Sequence, residues 1–299
     1  MTPRRQHGAV LLMVAIVLAT VAALAVGVNT MASAESRSAQ GAYEVRAAAY
    51  LADAGVAAIK WSSQVNGCTR AVVPATVLGG GSFEAWVVDP KDKPKKIDIV
   101  ASGAVNGIKS RPLERKQVTL YDLSKTESSR LTKDALDLTI DSTKDDDSDD
   151  DEEWLMLTFN SAHALLFWET KDIKKETLVL SATLTLTPYT SNGTGGAVAI
   201  QRLTTQWDDD ATWRRPGEDK ARWDGGNYVA LPAATAAVAG AATTQWDVTE
   251  LVNGWVSGQF TNYGMLLRLA NPGPSVRFSS LDASSSRRPV LHMLSAKPC

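Results

Sequence analysis

The residues best suited to bind a ligand lie in one short segment, TTQWDDDATWRRP, and in a tryptophan that follows it. The segment brings indole rings, carboxylates and guanidinium groups together. Sugars bind flat aromatic faces that are edged by hydrogen-bonding side chains, so this composition predicts a carbohydrate site. The candidate ligand-binding residues are Trp207, Asp208, Trp213, Arg214 and Trp223. Packing is the competing interpretation, because the large area that a tryptophan buries more often serves a core.

The acidic segment KDDDSDDDEE, residues 144–153, is a candidate cation site. Ca²⁺ takes about six to eight oxygen ligands, and alternating carboxylates can supply them. The candidate ligands are Asp145, Asp147, Asp149 and Asp151. The EF-hand pattern is absent, because no glycine lies within the run. Like charges repel and resist burial, so we favour a solvated loop, and calcium is the one cofactor that the sequence leaves open.

Catalysis and nucleic-acid binding find little support in the composition. The chain has 299 residues and a formal net charge of −2, whereas nucleic-acid-binding proteins are usually basic. No motif surrounds any of the histidines His7, His163 and His292. A glycosidase would need two carboxylates about 5–10 Å apart in a cleft, and no pattern here fixes such a pair. We therefore predict neither an enzyme nor a nucleic-acid partner.

The elements that must hold these residues begin with an apolar helix. Residues 9–28 are uncharged and long enough as a helix to cross roughly 30 Å of hydrocarbon. Arg4 and Arg5 precede this run, so the positive-inside rule places the chain after Asn29 outside the cell. The alternative is a secretory signal cleaved after Ala34, although the apolar part of such a signal is usually about 7–15 residues.

The N-terminal phrase RRQHG followed by AVLLMVAIVL resembles the processing site of type IV prepilins and pseudopilins. The resemblance implies cleavage after Gly8 and methylation of Ala9. Most pilins carry glutamate at the fifth mature position, where it neutralises a neighbouring amino terminus, but Met13 stands there. In this the chain is similar to K-type pseudopilins of type II secretion and to X-type minor pilins. The resemblance therefore implies a subunit near the filament tip.

The segment after the apolar run predicts a continuous helix over residues 9–66, on the order of 85 Å long at about 1.5 Å per residue. An apolar stripe repeats at three- and four-residue spacing, and Asn66-Gly67 is a plausible stop. The stripe comprises Val45, Ala49, Ala52, Val56 and Ile59. Alternating residues then predict a small antiparallel sheet over residues 67–122, with a tight turn at Asn106-Gly107.

The rest of the chain, residues 136–299, reads as short β-branched or aromatic runs typical of a sandwich. Four phrases resemble, in order, the DNRLRE family of extracellular β-sandwiches, also classed as carbohydrate-binding module family 96: ALLFWETKDIKKETLVLSATLTL, LTTQWDDDATWRRP, WDVTELVNGWVSGQFTNYGMLLRL and VRFSSLDASSSRRPVL. There are two departures from the family. The acidic run replaces an Asn-Tyr-Gly phrase, and Leu281 stands where arginine is common. WDVTELVNGWVSG also predicts a short helix with Asp247 as N-cap.

The cysteines Cys68 and Cys299 are the only two in the chain. Outside the cytoplasm they can form a disulfide. A disulfide between them, two free thiols and an intermolecular bond all remain open at this point.

Together these observations predict an α+β fold: a long N-terminal pilin helix with a small antiparallel sheet, followed by an all-β, jelly-roll-like sandwich. The predicted segments are a leader over residues 1–8, a transmembrane spine over 9–66, a pilin-like head over 67–122, a linker over 123–135 and the sandwich over 136–299.

The expected function is that of a tip-proximal minor type IV pilin that primes assembly and displays a surface- or polysaccharide-binding sandwich. Its expected partners are other pilins, the bacterial inner membrane before assembly, and a polysaccharide or surface once the subunit is in an extracellular pilus. Two alternatives stay open: a tip pseudopilin of type II secretion, and a membrane-anchored carbohydrate-binding protein outside any filament.

Overall fold

The computed structural model describes residues 6–88, 96–144, 151–189, 192–218 and 220–299, with side chains described for most of the chain from Glu35 onward. The chain divides into two compact units, Met1–Leu120 (unit 1) and Tyr121–Cys299 (unit 2).

Unit 1 consists of one helix and one antiparallel sheet. The strands are ordered β1-β2-β3-β4, and β5 also pairs with β3. The elements are α1 (Gln6–Val65), β1 (Val73–Leu78), β2 (Gly81–Val88), β3 (Lys96–Val105), β4 (Ile108–Lys109) and β5 (Leu113–Thr119). Helix α1 ends immediately before Asn66, and Gly67 adopts a positive φ of 66°, which suits a residue without a Cβ.

Strand β3 shows why the sheet binds the helix. Every second residue of KIDIVASGAV is buried, as expected for a strand with one face on a core. The glycine at position 103 allows the closest approach, because a Cβ there would lie 2.1 Å from the carbonyl oxygen of Ala48 on α1. The buried apolar side chains of this interface are Ala48, Leu51, Ile59, Phe83, Ala85, Ile97, Ile99, Ala101, Val105 and Leu120.

The prediction of which α1 residues form the buried apolar stripe is wrong in part. Ala52 and Ile59 are buried, but Val45 is 55% exposed and Ala49 is also exposed. The helix instead buries Ala48 and Leu51, and so is rotated from the predicted orientation. Alanine and valine occur on several faces of this segment, so apolar spacing alone does not identify the face that meets the sheet.

The predicted α+β class is also wrong, because the fold is mainly β. Among the described residues there are sixteen strands and two helices. In the same part, no helix is both long enough and apolar enough to span a membrane. This finding contradicts the long apolar pilin helix and the localisation in the inner membrane and then in an extracellular pilus. Gly8, Ala9 and Met13 lie outside the residues whose side chains are described.

Unit 2 is a β-sandwich-like arrangement of antiparallel strands. A four-stranded sheet has the order β13-β10-β16-β6, a five-stranded sheet has the order β12-β11-β14-β9-β7, and β15 pairs with β8. The elements are β6 (Tyr121–Leu131), β7 (Leu136–Asp141), β8 (Trp154–Leu157), β9 (Ala162–Phe167), β10 (Leu178–Leu186), β11 (Asn192–Arg202), β12 (Ala234–Gly240), β13 (Thr244–Asp247), α2 (Thr249–Ser257), β14 (Met265–Leu269), β15 (Val276–Ser279) and β16 (Val290–Pro298).

The residues predicted to be a linker, 123–135, instead contribute a strand to unit 2. Strand β6 pairs with the last strand of the chain, β16, from Leu131 opposite Leu291 to Thr126 opposite Ala296. Most side chains of β6 are polar and exposed, because the strand lies at the edge of its sheet. Its sequence therefore lacks the apolar alternation that reveals a strand.

The five-stranded sheet of unit 2 is covered on both faces. Its inner face forms the main core, where the Trp246 and Phe278 rings meet edge to face at 5.9 Å. Its outer face forms a second cluster, in which Leu165 and Leu266 pack beneath residues 203–233. Burial on both faces explains why HALLF and MLLRL read as continuous apolar runs rather than as alternating ones.

Candidate functional site

A cleft of about 680 Å³ in unit 2 opens where β9 leaves its sheet and α2 ends. We call it the end cleft. One wall is formed by residues 167–175 and the other by the loop 258–264. Its lining mixes aromatic, hydrogen-bonding and charged side chains: Leu136, Phe167, Glu169, Thr170, Lys171, Ile173, Lys175, Gln206, Trp207, Trp255, Val256, Gly258, Phe260, Thr261, Asn262 and Tyr263.

The loop 258–264 is fixed at both ends by glycines with positive φ. Gly258 ends α2 at φ 74°. Gly264 has φ 82°, and a Cβ there would lie 2.3 Å from the carbonyl oxygen of Leu166. Between them, Phe260 lies against Gly254 of the helix and under the guanidinium of Arg202, 4.4 Å from the ring centroid. The loop therefore has a defined position on the sandwich.

Asn262 positions the same loop through three hydrogen bonds. Its Nδ2 donates to the carbonyl oxygen of Trp168 at 2.8 Å and to Thr170 Oγ1 at 3.1 Å. Its Oδ1 accepts from the backbone N–H of Gly264 at 2.9 Å. These contacts use the side chain for structure, so Asn262 holds the neighbouring half-buried ring of Tyr263 in the wall of the cleft.

The carboxylate of Glu169 is engaged by its neighbours. It accepts hydrogen bonds from the backbone N–H groups of Thr170 and Lys171, both at 2.8 Å, and from Lys171 Nζ at 3.1 Å. Burial raises the pKa of Glu169, but these bonds outweigh burial and leave the pKa below its ordinary value. Among the described residues that line the cleft, Glu169 is the single carboxylate.

Three polar side chains of the end cleft are available to a ligand. Within the described part of the chain, Gln206, Thr261 and Lys175 make no side-chain hydrogen bond or ion pair. Lys175 lies beside Gly258 at the C-terminal end of α2, where the helix dipole favours a cation. The cleft therefore presents an aromatic ring, an amide, a hydroxyl and an ammonium group together.

Two of the predicted tryptophans serve packing instead of an open platform. Trp207 and Trp223 are each 6% exposed and belong to the second cluster of unit 2. The indole N–H of Trp207 donates to the carbonyl oxygen of Tyr263, and that of Trp223 donates to the carbonyl oxygen of Thr212, both at 2.8 Å. The outer sheet face must be covered, and these large rings cover it. Trp207 still contributes a small edge to the end cleft.

Three of the predicted ligand-binding residues lie together, but Asp208 lies apart from them. Trp213, Arg214 and Trp223 border a second, shallower cleft of about 490 Å³, together with Ser142, Arg222 and Asp224. Half-buried Trp213 packs on the His163 ring at 4.9 Å and donates its indole N–H to Asp224 Oδ1 at 3.0 Å. Burial lowers the pKa of His163 below its ordinary value, although its ring also bonds the carbonyl oxygen of Gly225. Asp208 is not among the residues of this cleft.

The predicted calcium ligands Asp145, Asp147 and Asp149 lie outside the described residues, and Asp151 is exposed. Among the described residues, carboxylate oxygens of Asp208, Asp209 and Asp210 lie within 4.8 Å of one another. Lys220 Nζ already lies 2.5 Å from Asp208 Oδ2, so a metal ion would have to displace an ammonium group. We therefore assign no metal to this cluster.

Both cysteines, Cys68 and Cys299, are disulfide-bonded, and neither is a free thiol. The free-thiol alternative is thereby excluded. The pairing of the two with each other stays a prediction.

A scan against protein-family models finds no matching family, and a search of curated proteins finds no match. The pilin and DNRLRE resemblances therefore stay predictions.

The end cleft has no single sequence pattern, because its two walls come from segments far apart in the chain. One signal was present: GQFTNYG places two aromatic residues between glycines directly after a helix. Glycine after a helix marks its C-terminus, so this phrase predicts a short aromatic loop that is held at both ends.

Proposed function

We propose that unit 2 is a non-catalytic binding module for a polysaccharide and that the end cleft holds the sugar. The observation that carries this proposal is the grouping of the Tyr263 ring with the unengaged side chains of Gln206, Thr261 and Lys175 in one open cleft. An aromatic ring offers its face to the apolar side of a pyranose, and the polar groups bond its hydroxyls. The volume of about 680 Å³ lies within the range of about 300–1,000 Å³ common for ligand sites.

The charge arrangement favours binding over hydrolysis. Glycoside hydrolysis by the usual route uses two carboxyl groups, one of them with a raised pKa to donate a proton. Glu169 has a lowered pKa and is held by Lys171, and no second carboxylate is found among the described residues of the cleft. The resemblance of unit 2 to DNRLRE sandwiches points to the same class of ligand.

The test is affinity electrophoresis of the full chain through gels that contain a panel of neutral and charged polysaccharides. Tyr263→Ala should weaken binding about tenfold, which equals about 1.4 kcal/mol. Tyr43→Ala is the matched control, because Tyr43 is 70% exposed in unit 1. Retardation that is unchanged in Tyr263→Ala, or absent with every polysaccharide, contradicts the proposal.

A second candidate function is that of a minor subunit of a type IV filament that primes assembly. The supporting observation is the order and packing of unit 1, in which the described part of α1 lies along the antiparallel sheet β1–β5 that follows it. A tip pseudopilin of type II secretion would share this arrangement.

Deletion of the gene tests this second function. Loss of filaments supports a subunit that primes their assembly, whereas loss of secretion with normal filaments supports the pseudopilin. Absence of both defects contradicts either role.

A further inference from the structure

Three large aromatic side chains form a line along the face of α1 that points away from the sheet. Tyr43, Tyr50 and Trp61 are 70%, 74% and 64% exposed. They are separated by seven and eleven residues, which correspond to about two and three turns at about 3.6 residues per turn. The line, which we call the aromatic ridge, is about 27 Å long at about 1.5 Å per residue.

Uncompensated positive charge lies on one side of the aromatic ridge. Arg46 and Lys60 are exposed there, and neither forms an ion pair with any described residue. Asp53 lies on the same side, but its carboxylate is bound by Arg115 at 3.1 Å. The flank therefore carries two available cations, and its carboxylate is already neutralised.

We propose that the aromatic ridge docks an α-helix of a partner protein whose apolar ridge is flanked by carboxylates. Exposed apolar patches of this kind mark interaction sites. Spacings of seven and eleven residues are those at which apolar residues of a second helix recur along a shared seam. The two cations beside the ridge supply the charge complementarity, because each meets a carboxylate across the seam.

A second copy of the chain fits the aromatic ridge less well. A two-fold axis through the centre of the ridge brings Arg46 of one copy towards Lys60 of the other, since the same patch faces itself. Two like-charge contacts would then oppose the apolar contact. An acidic partner meets no such repulsion.

The experiment measures binding of two labelled helical peptides to the full chain by fluorescence anisotropy. Both peptides carry leucines at the spacing of the ridge; one has glutamates beside the leucines and the other has lysines at the same positions. We expect the glutamate peptide to bind at least tenfold more tightly, with the difference shrinking in 1 M salt because exposed charges are screened there.

Variants assign the effect to the ridge. A double variant, Arg46→Glu with Lys60→Glu, should reverse the preference between the peptides, and Tyr50→Ala with Trp61→Ala should weaken both. The control Lys109→Glu with Lys116→Glu changes the same charge elsewhere in unit 1 and should change neither affinity. Undetectable binding, equal binding of both peptides, or self-association of the chain that the ridge variants abolish would each overturn the proposal. Polysaccharide binding by unit 2 is measured on the same variants, so failure of one proposal is distinguishable from failure of the other.

Discussion

Replacement of Asp137 by asparagine should stabilise unit 2 at neutral and alkaline pH. Asp137 lies on β7 and is only 8% exposed. Burial raises the pKa of its carboxyl to about 7, although the hydrogen bond from the Leu281 N–H, 2.8 Å from Oδ2, opposes the rise. The Asp282 carboxylate raises the pKa further and Arg288 lowers it. Asparagine removes the charge and keeps an oxygen that accepts the bond from Leu281.

The direction of the change in stability follows from the pKa of Asp137 in the unfolded and the folded chain. Unfolded, the carboxyl titrates near 3.8; folded, near 7. The contribution of the protonated Asp137 carboxyl to stability is fully present below pH 3.8. It is lost progressively as the pH rises to about 7, because the carboxyl ionises less readily in the folded state than in the unfolded state. At about 1.36 kcal/mol per pH unit, the gap between 3.8 and 7 corresponds to roughly 4 kcal/mol. Asp137→Asn should therefore raise the free energy of unfolding by up to roughly 4 kcal/mol at pH 8 and by about 1 kcal/mol at pH 4.5.

The assay is urea unfolding of the wild type and variant, followed by tryptophan fluorescence at pH 4.5, 6 and 8. Asp209→Asn is the control, because Asp209 is exposed and its replacement should change stability little at any of these pH values. A variant that is less stable than the wild type at pH 8, or whose free energy of unfolding changes equally at all three pH values, would show that ionisation of buried Asp137 does not lower the stability of unit 2.

Three further predictions concern other positions. Gly103→Ala should destabilise unit 1 by about 3 kcal/mol in urea unfolding, because the added Cβ would lie 2.1 Å from the Ala48 carbonyl oxygen. An unchanged urea midpoint would show that α1 does not approach β3 this closely. Gln201→Leu should leave the free energy of unfolding unchanged or raise it by about 1–2 kcal/mol, since both amide atoms of Gln201 are buried and unpaired among the described residues. A decrease in that free energy by more than about 2 kcal/mol would show that the Gln201 amide has a hydrogen-bond partner. Asn262→Ala should weaken polysaccharide binding, measured by gel retardation, and should lower the free energy of unfolding by about 1–3 kcal/mol in urea. A loss of stability with unchanged binding would show that the loop 258–264 does not contribute to the binding site.

Local features were predictable where neighbouring residues determine them. The Asn106-Gly107 turn joins β3 to β4 with positive φ at both residues, as this dipeptide allows. Helix α2 lies where WDVTELVNGWVSG predicts it, but the predicted N-cap is wrong: the N-cap residue is Val248, and Asp247 Oδ1 instead accepts the Thr249 N–H at 3.0 Å. Most apolar strands of unit 2 were visible as short β-branched runs.

Features that depend on contacts between distant segments were not predictable. Polar β6 becomes a strand because β16 supplies its hydrogen-bonding partner. Trp207 and Trp223 are buried because an otherwise exposed sheet face needs a cover. The end cleft is formed by segments that no local pattern connects, and the rotation of α1 is decided by the close approach at Gly103.

The most direct test of polysaccharide binding in the end cleft is hydrogen–deuterium exchange of the full chain with and without a polysaccharide that retards it. Binding in the end cleft should slow exchange in residues 167–175, around Gln206 and in residues 258–264. Slowed exchange around Trp213 and Asp224 instead, or no change in either wall of the cleft, would contradict it.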